Sequence, residues 1–196
     1  MKRNRNHNLL LIALVPMLLV AIAGCGQPPE EEMSAARQAV EDAANNPEVG
    51  RYAPDSLERA QQLLTEMETA AENGEYESAR SLAQQATNAA EQAVREAASE
   101  KERARAAAES AVSAAASALE EARGALDDAR GVSGIRLDVQ AARGDLEEGA
   151  EAIASARSAL ENEEFSEAQS IAENARSNIS NVVRRVSDAV RAASRK

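Results

Sequence analysis

Cys25 is the residue of this sequence whose type and position point most directly to a chemical reaction. It is the single cysteine among 196 residues, and it follows Ile22, Ala23 and Gly24. A thiol is the reactive group at this point, and small preceding side chains let a signal peptidase reach an extended backbone. The spacing therefore predicts processing of the chain immediately before Cys25.

The N-terminal residues have the parts of a secretory signal. Basic residues within 2–5 precede an apolar run over 9–23, and this order is typical of a signal peptide. The alternatives are a short transmembrane anchor, or an ordinary signal with an incidental cysteine. A spanning helix needs about 20 apolar residues, and this run has about 15. Residues 1–24 are therefore predicted to be a lipoprotein-type signal peptide.

Ile22-Ala23-Gly24-Cys25 resembles the bacterial lipobox. The resemblance implies that the Cys25 thiol receives a diacylglycerol and that Cys25 becomes the first mature residue, so the membrane is a partner through the lipid anchor. Gly26 follows where an aspartate would signal inner-membrane retention, which implies the outer membrane and a periplasm-facing chain. The proline- and glutamate-rich segment 25–32 is predicted to be a lipidated tether.

The mature chain has few other groups suited to catalysis. Its single histidine, His7, leaves with the signal, which removes the commonest general base and metal ligand. Paired carboxylates such as Glu120 and Glu121 are typical of a solvated helix face, and no serine has a candidate partner base. We therefore expect no enzymatic activity, no metal site and no cofactor apart from the covalent lipid on Cys25.

The charge of the mature chain excludes one class of partner. Removal of 1–24 takes away three basic residues and no acidic ones, so the formal net charge changes from −11 to −14. Such a surface repels polyanions. We expect no nucleic-acid binding.

The composition predicts an all-α fold, because helix formers dominate and β-branched and aromatic residues are sparse. Proline, glycine and asparagine mark the breaks, and an Asp55/Glu58 pair is spaced as a capping box. The predicted helices cover about 30–44, 54–72, 77–130, 135–160 and 166 to the C-terminus. The third would be about 80 Å long at 1.5 Å per residue.

An internal repeat relates 54–95 to 143–184 without gaps at an offset of 89 residues. Each copy is predicted to be a helical hairpin with one apolar stripe on each helix. Tyr76 and Phe165 fall at the two turns and are predicted to anchor the hairpin ends by packing. The predicted domains are a first hairpin repeat at 33–100, an alanine-rich connecting helix and turn at 101–134, and a second hairpin repeat at 135–196.

A stripe of alanines continues through the connecting helix with alternating steps of four and three residues. Its members are Ala104, Ala108, Ala111, Ala115, Ala118, Ala122, Ala125 and Ala129, with Val112, Leu119 and Leu126 on its flank. Small side chains at this period favour a coiled-coil seam with close helix approach. A buried methyl contributes about 0.8 kcal/mol. The sequence thus predicts elongated antiparallel hairpins, three-helix-bundle-like, of marginal stability or stabilised by self-association.

Several resemblances follow from these motifs. Residues 73–86 resemble the second-helix signature of tetratricopeptide repeats, although the period of 89 departs from that family. The lipobox, Ala53-Pro54 and the turn Gly74 to Tyr76 together resemble the lipoprotein family called domain of unknown function 4398. That resemblance implies a helical, cell-envelope protein without an assigned activity.

Two segments, Asp138-Val139-Gln140-Ala141-Ala142-Arg143 and the terminal Arg195-Lys196, resemble the murein lipoprotein family, in which a C-terminal lysine is attached to peptidoglycan. The resemblance implies attachment through Lys196; the alternative is that Arg195 and Lys196 only complement the helix C-terminus electrostatically.

Three functions are therefore expected, and the most favoured one comes first. The first is a non-enzymatic, outer-membrane-anchored spacer or adaptor that binds an unknown periplasmic protein or itself. The second is a peptidoglycan-linked tether through Lys196. The third is a carrier or chaperone for an apolar ligand, for which the sequence offers no large aromatic lining.

Overall fold

Helices account for most of the residues that the structure, a computed structural model, describes, namely 27–195. They are α1 (Glu30–Asn45), α2 (Pro47–Tyr52), α3 (Pro54–Glu72), α4 (Tyr76–Arg130), α5 (Val139–Glu161) and α6 (Phe165–Ala193). No strand occurs within 27–195, and the predicted all-α fold is confirmed. Alanine, glutamate, glutamine and arginine, which lose little freedom in a helix, supply most of these residues.

The segment predicted as a break at 45–50 contains the start of a further helix. The Asn46 side chain accepts a hydrogen bond from the backbone N–H of Glu48 at 2.9 Å, and Pro47 occupies the first turn of α2. Proline lacks the N–H that would be unpaired at this position, and its φ angle suits a helix start. Asn46 is therefore both the C-cap of α1 and the N-cap of α2.

The start of α5 was predicted wrongly by four residues. The helix was expected from Ile135, but it begins at Val139 because Asp138 is its N-cap. The Asp138 carboxylate accepts a hydrogen bond from the backbone N–H of Ala141 at 2.9 Å. A side-chain acceptor at the N-cap satisfies one of the unpaired N–H groups of the first turn.

The capping box predicted at Asp55 and Glu58 is wrong as well. Ala53 is the N-cap of α3 and makes no side-chain capping bond, while Pro54 stands at the first helical position. Asp55 lies inside the first turn, where its negative charge complements the helix dipole.

The chain divides into two compact units, whose described residues are 27–98 (unit 1) and 99–195 (unit 2). Unit 1 packs α1 and α3 against the first part of α4, and α2 covers one end of this three-helix core. Its larger buried side chains are Met33, Val40, Val49 and Met67. The stripe that α4 contributes to unit 1 consists entirely of alanines: Ala79, Ala83, Ala86, Ala90, Ala93 and Ala97.

Unit 2 packs the second part of α4 against α5 and α6. Its core contains more large apolar side chains, namely Val112, Leu119, Leu126, Leu146, Ile153, Ile179, Val182 and Val186. Residues 101–134 were predicted as a connecting helix and turn between two hairpins. The structure groups them differently, because the end of α4 is one of the three helices of the core of unit 2.

The alanine seam of α4 is offset from its predicted position. The buried residues of this part of the helix are Ala108, Val112, Ala115, Leu119, Ala122, Leu126 and Ala129, whereas Ala111, Ala118 and Ala125 are half-buried. Val112, Leu119 and Leu126 are thus central to the stripe and not its flank. A larger side chain gains more from burial than a methyl group, and this gain sets the packed face.

The offset of 89 residues holds in the packing as well as in the sequence. Along α3 and α4 the buried positions of unit 1 recur in unit 2, for example Met67 with Ala156 and Ala97 with Val186. At one pair of equivalent positions the side chains of the two units differ in size. Where unit 1 has Ala60 and Ala90, unit 2 has Gly149 and Ile179.

The turns that join the repeated helices have the same backbone conformation but different residues. Gly74 has a φ of 76°, and Glu163, at the equivalent position, has a φ of 61°. In both turns the next residue donates a backbone hydrogen bond across the turn, at 2.9 Å, to Ala70 or Ala159. A left-handed conformation costs a non-glycine residue of order 1–3 kcal/mol. The repeat has therefore preserved the turn despite the loss of its glycine.

We predict that Gly149→Ala destabilises the protein. A Cβ at Gly149 would lie 2.9 Å from Cγ1 and 3.1 Å from Cδ1 of Ile179. Overpacking costs about 1–3 kcal/mol, and the better helix propensity of alanine returns at most about 1 kcal/mol. We expect a net loss of up to about 2 kcal/mol in the free energy of unfolding, measured by urea titration of the helical circular dichroism signal.

Gly124→Ala is the matched control, because a Cβ there meets nothing within 4 Å. It should raise the stability by up to about 1 kcal/mol. In an Ile179→Ala background the space is open, so Gly149→Ala should become stabilising. An equal gain from Gly149→Ala and Gly124→Ala in the native background would contradict the close contact.

Candidate functional site

An open groove lies between α5 and α6 in unit 2. Its volume is about 670 Å³. Small and apolar side chains form its floor, and polar side chains form its sides. We call it the asparagine groove; its lining residues are Asp145, Glu148, Gly149, Ala152, Ile171, Asn174, Ala175, Asn178, Asn181 and Arg185.

Three exposed asparagines form one side of the asparagine groove. Asn174, Asn178 and Asn181 are separated by steps of four and three residues, so they lie on one face of α6. Seven residues of helix place the first about 10 Å from the last. Asn181 accepts a hydrogen bond from Arg184, while no side-chain hydrogen bond within 27–195 is made by Asn174 or Asn178.

Asparagine is an unfavourable choice at these positions for the helix itself. Its side chain competes for backbone hydrogen bonds, and each asparagine costs up to about 0.7 kcal/mol relative to alanine in a helix interior. Alanine is the most common residue in the helices of this chain. Departures from local preference are expected where a residue serves a function other than folding.

An ion pair closes one end of the asparagine groove. The Arg185 guanidinium contacts the Asp145 carboxylate between α6 and α5. The equivalent positions of unit 1 are Ser56 and Glu96, whose side chains form a hydrogen bond of 2.5 Å. The repeat therefore keeps a polar link between the two helices at this level while the residue types change.

The equivalent face of unit 1 differs from the asparagine groove. At the offset of 89 residues, the three asparagines correspond to Gln85, Ala89 and Gln92, and Glu148 corresponds to Arg59. Apolar periodicity did not predict the groove, because it reports only the stripes that the two copies share. A signal was available in the sequence, because the asparagine row is a regularly spaced feature of the second copy that the first copy lacks.

The predicted lipidation site lies outside the described residues. This applies to Cys25, to the lipobox residues Ile22, Ala23 and Gly24, and to the candidate attachment residue Lys196. These predictions stay predictions.

The two aromatic residues predicted at the turns have different surroundings. Phe165 is 3% exposed, whereas Tyr76 is half-buried. Each is the first residue of its helix. Near Phe165, Lys101 Nζ lies 2.8 Å from Glu163 Oε2, and these residues line a second open pocket of about 340 Å³.

Ion pairs on the surface of unit 1 link α1 to both of its neighbours. Arg37 contacts Glu68 of α3 at 3.0 Å, and Arg80 of α4 contacts Glu32 at 3.0 Å. The pKa of Glu32 is lowered, first by a hydrogen bond to its own backbone and then by the Arg80 guanidinium. The pKa of Arg80 is raised by the same contact and by Glu77.

Within 27–195, no group of histidine, cysteine, aspartate and glutamate side chains is arranged to hold a metal ion. No helix in this part of the chain is long and apolar enough to cross a membrane.

Comparison with protein families gives a match. Residues 31–109 match the family model described as Domain of unknown function (DUF4398), which confirms the resemblance predicted from Ala53-Pro54 and the Gly74–Tyr76 turn. The matched region contains α1 from its second residue, all of α2 and α3, and part of α4. Comparison with the curated proteins and with the solved structures gives no significant match.

We predict that Arg80→Gln raises the pKa of Glu32 part of the way towards its ordinary value. The backbone hydrogen bond, which is the larger cause, remains in this variant. A lowered carboxyl pKa contributes stability above the ordinary pKa of glutamate, and this contribution is lost as the pH falls through the lowered pKa. Carboxyl-carbon NMR titration measures the shift directly. The control is Arg95→Gln, which removes a contact to Glu91 and should leave the pKa of Glu32 unchanged. If the pKa of Glu32 also stays unchanged in Arg80→Gln, the ion pair between Arg80 and Glu32 is contradicted.

Proposed function

We propose that this chain is an outer-membrane lipoprotein, anchored through lipid on Cys25 and facing the periplasm, that serves as a non-enzymatic spacer or protein-interaction adaptor. The sequence of the lipobox and the polar tether at 25–32 support the anchoring. The family match supports no particular activity, because the family is described as a domain of unknown function.

The observation that carries the adaptor proposal is a difference between two units with equivalent cores. Buried positions recur at the offset of 89 residues, yet the exposed faces differ, and unit 2 has the asparagine groove. Core residues are needed for folding, whereas exposed polar residues that cost helix stability serve the fold poorly. A duplicated scaffold with one altered face suits a protein that presents a binding surface.

The anchor is tested by Cys25→Ala in cells supplied with labelled palmitate. We expect the label to be lost, because the variant has no thiol to receive the diacylglycerol. Glu30→Ala, which changes the tether but not the thiol, is the control and should keep the label. Retention of label by Cys25→Ala would contradict the proposal.

The adaptor role is tested by placing a photoreactive amino acid at position 174 or at position 85 in living cells. The two positions are equivalent in the repeat and both are exposed, but Asn174 lies in the asparagine groove and Gln85 does not. We expect a crosslinked adduct of discrete mass from position 174 alone. No adduct from position 174, or equal adducts from both positions, would contradict a binding role for this face.

A further inference from the structure

We propose that the asparagine groove binds an extended peptide segment that carries a basic side chain. This inference rests on the adaptor function proposed above and specifies the class of its ligand.

The asparagine side chains match the hydrogen-bonding groups of an extended backbone. Each carboxamide has an acceptor oxygen and two donor hydrogens, and an extended segment has unpaired N–H and C=O groups along its length. A helical partner has already paired its backbone groups internally. The side chains of Asn174 and Asn178, which make no hydrogen bond within the described residues, are therefore better suited to a strand than to a helix.

The spacing of the polar groups agrees with this assignment. Asn174 and Asn181 are about 10 Å apart along α6, a distance that about three residues of extended chain cover at 3.3 Å each. Continuing to Arg185 lengthens the polar row to about 16 Å, which corresponds to about five extended residues.

The floor of the asparagine groove provides the apolar contacts that such a segment needs. Ala152, Ile171 and Ala175 line it together with Gly149, and Ala152 and Ile171 are the partly exposed residues among these four. Side chains of an extended segment alternate between its two faces. Every second side chain of a bound peptide would therefore rest on this floor while the others remain in solvent.

The charge of the asparagine groove selects for a basic ligand. Asp145 and Arg185 neutralise each other in an ion pair. Glu148 lines the same groove, is exposed, and has no ion-pair partner within 27–195. A lysine or arginine of the ligand would supply the missing positive charge and a directional hydrogen bond.

A carbohydrate is the alternative ligand, because sugar hydroxyl and acetamido groups also pair with carboxamides. The residues that line the asparagine groove include no aromatic side chain. Flat aromatic surfaces commonly supply the apolar contact in small-ligand sites, so the observed lining favours the peptide.

The proposal is tested with full-length protein in detergent micelles and a library of fluorescein-labelled nine-residue peptides, with chitotetraose as the carbohydrate probe. We expect fluorescence anisotropy to select peptides that contain lysine or arginine. Because the backbone is recognised, N-methylation of the central amides of a selected peptide should weaken its binding. Side-chain amide NMR signals of the three asparagines should shift on titration.

The decisive variant replaces Asn174, Asn178 and Asn181 by alanine. Three lost hydrogen bonds should weaken peptide binding by at least about tenfold. Alanine has the higher helix propensity, so the variant should remain folded, which circular dichroism verifies. The matched control replaces Gln85 and Gln92, at equivalent positions of unit 1, and should change the affinity by less than about twofold.

Three results would overturn the proposal: no peptide of the library binds, the alanine variant binds as tightly as the native protein, or only chitotetraose shifts the asparagine signals. Peptide binding in micelles does not require Cys25. If no peptide binds but the lipid label is present, the peptide site is contradicted and the anchor is not. If peptides bind but the lipid label is absent, the anchor is contradicted and the peptide site is not.

Discussion

The burial of a continuous row of small side chains along α4 is the interaction on which both three-helix units depend. In unit 1 every buried residue of this helix from 79 to 97 is an alanine. A methyl group contributes only about 0.8 kcal/mol on burial, so stability must come from many such contacts and from close approach of the helices. Unit 2 alternates alanine with Val112, Leu119 and Leu126, which gives the same helix a larger apolar contribution there.

Duplication explains how two units with little sequence identity have equivalent cores. Packing constrains the summed volume at a contact more strongly than the identity of either residue. The exchange of Ala60 and Ala90 for Gly149 and Ile179 does not conserve the summed volume, because one carbon atom is lost and three are gained. The missing Cβ of Gly149 nevertheless leaves Ile179 room that a methyl group would take. The turn at Glu163 shows the same tolerance in the backbone, since it keeps the left-handed conformation of Gly74.

The two units differ on their exposed faces while their buried positions are equivalent. The asparagine groove is the difference that offers hydrogen-bonding groups to a ligand. Its three carboxamides contribute little to the helix that carries them, whereas they offer a partner both donors and acceptors. Unit 1 has exposed ion pairs between α1 and its neighbours through Glu32 and Arg37, and unit 2 has one between α5 and α6 through Asp145 and Arg185. The row of asparagines, and not the ion pairing, is therefore what distinguishes the surface of unit 2 from that of unit 1.

The sequence by itself determined the helical class, the ends of α1 and α4 to within one residue, the repeat offset and the buried stripe from Ala79 to Ala97. These features follow from local propensity and periodicity, which are properties of neighbouring residues. It did not determine that 101–134 belongs to a three-helix core, that Ala53 is the N-cap of α3 in place of an Asp55/Glu58 capping box, or that the packed face centres on Leu119. Those outcomes depend on which helices meet, and the asparagine groove likewise exists only because α5 and α6 bring residues about 30 positions apart to the same surface.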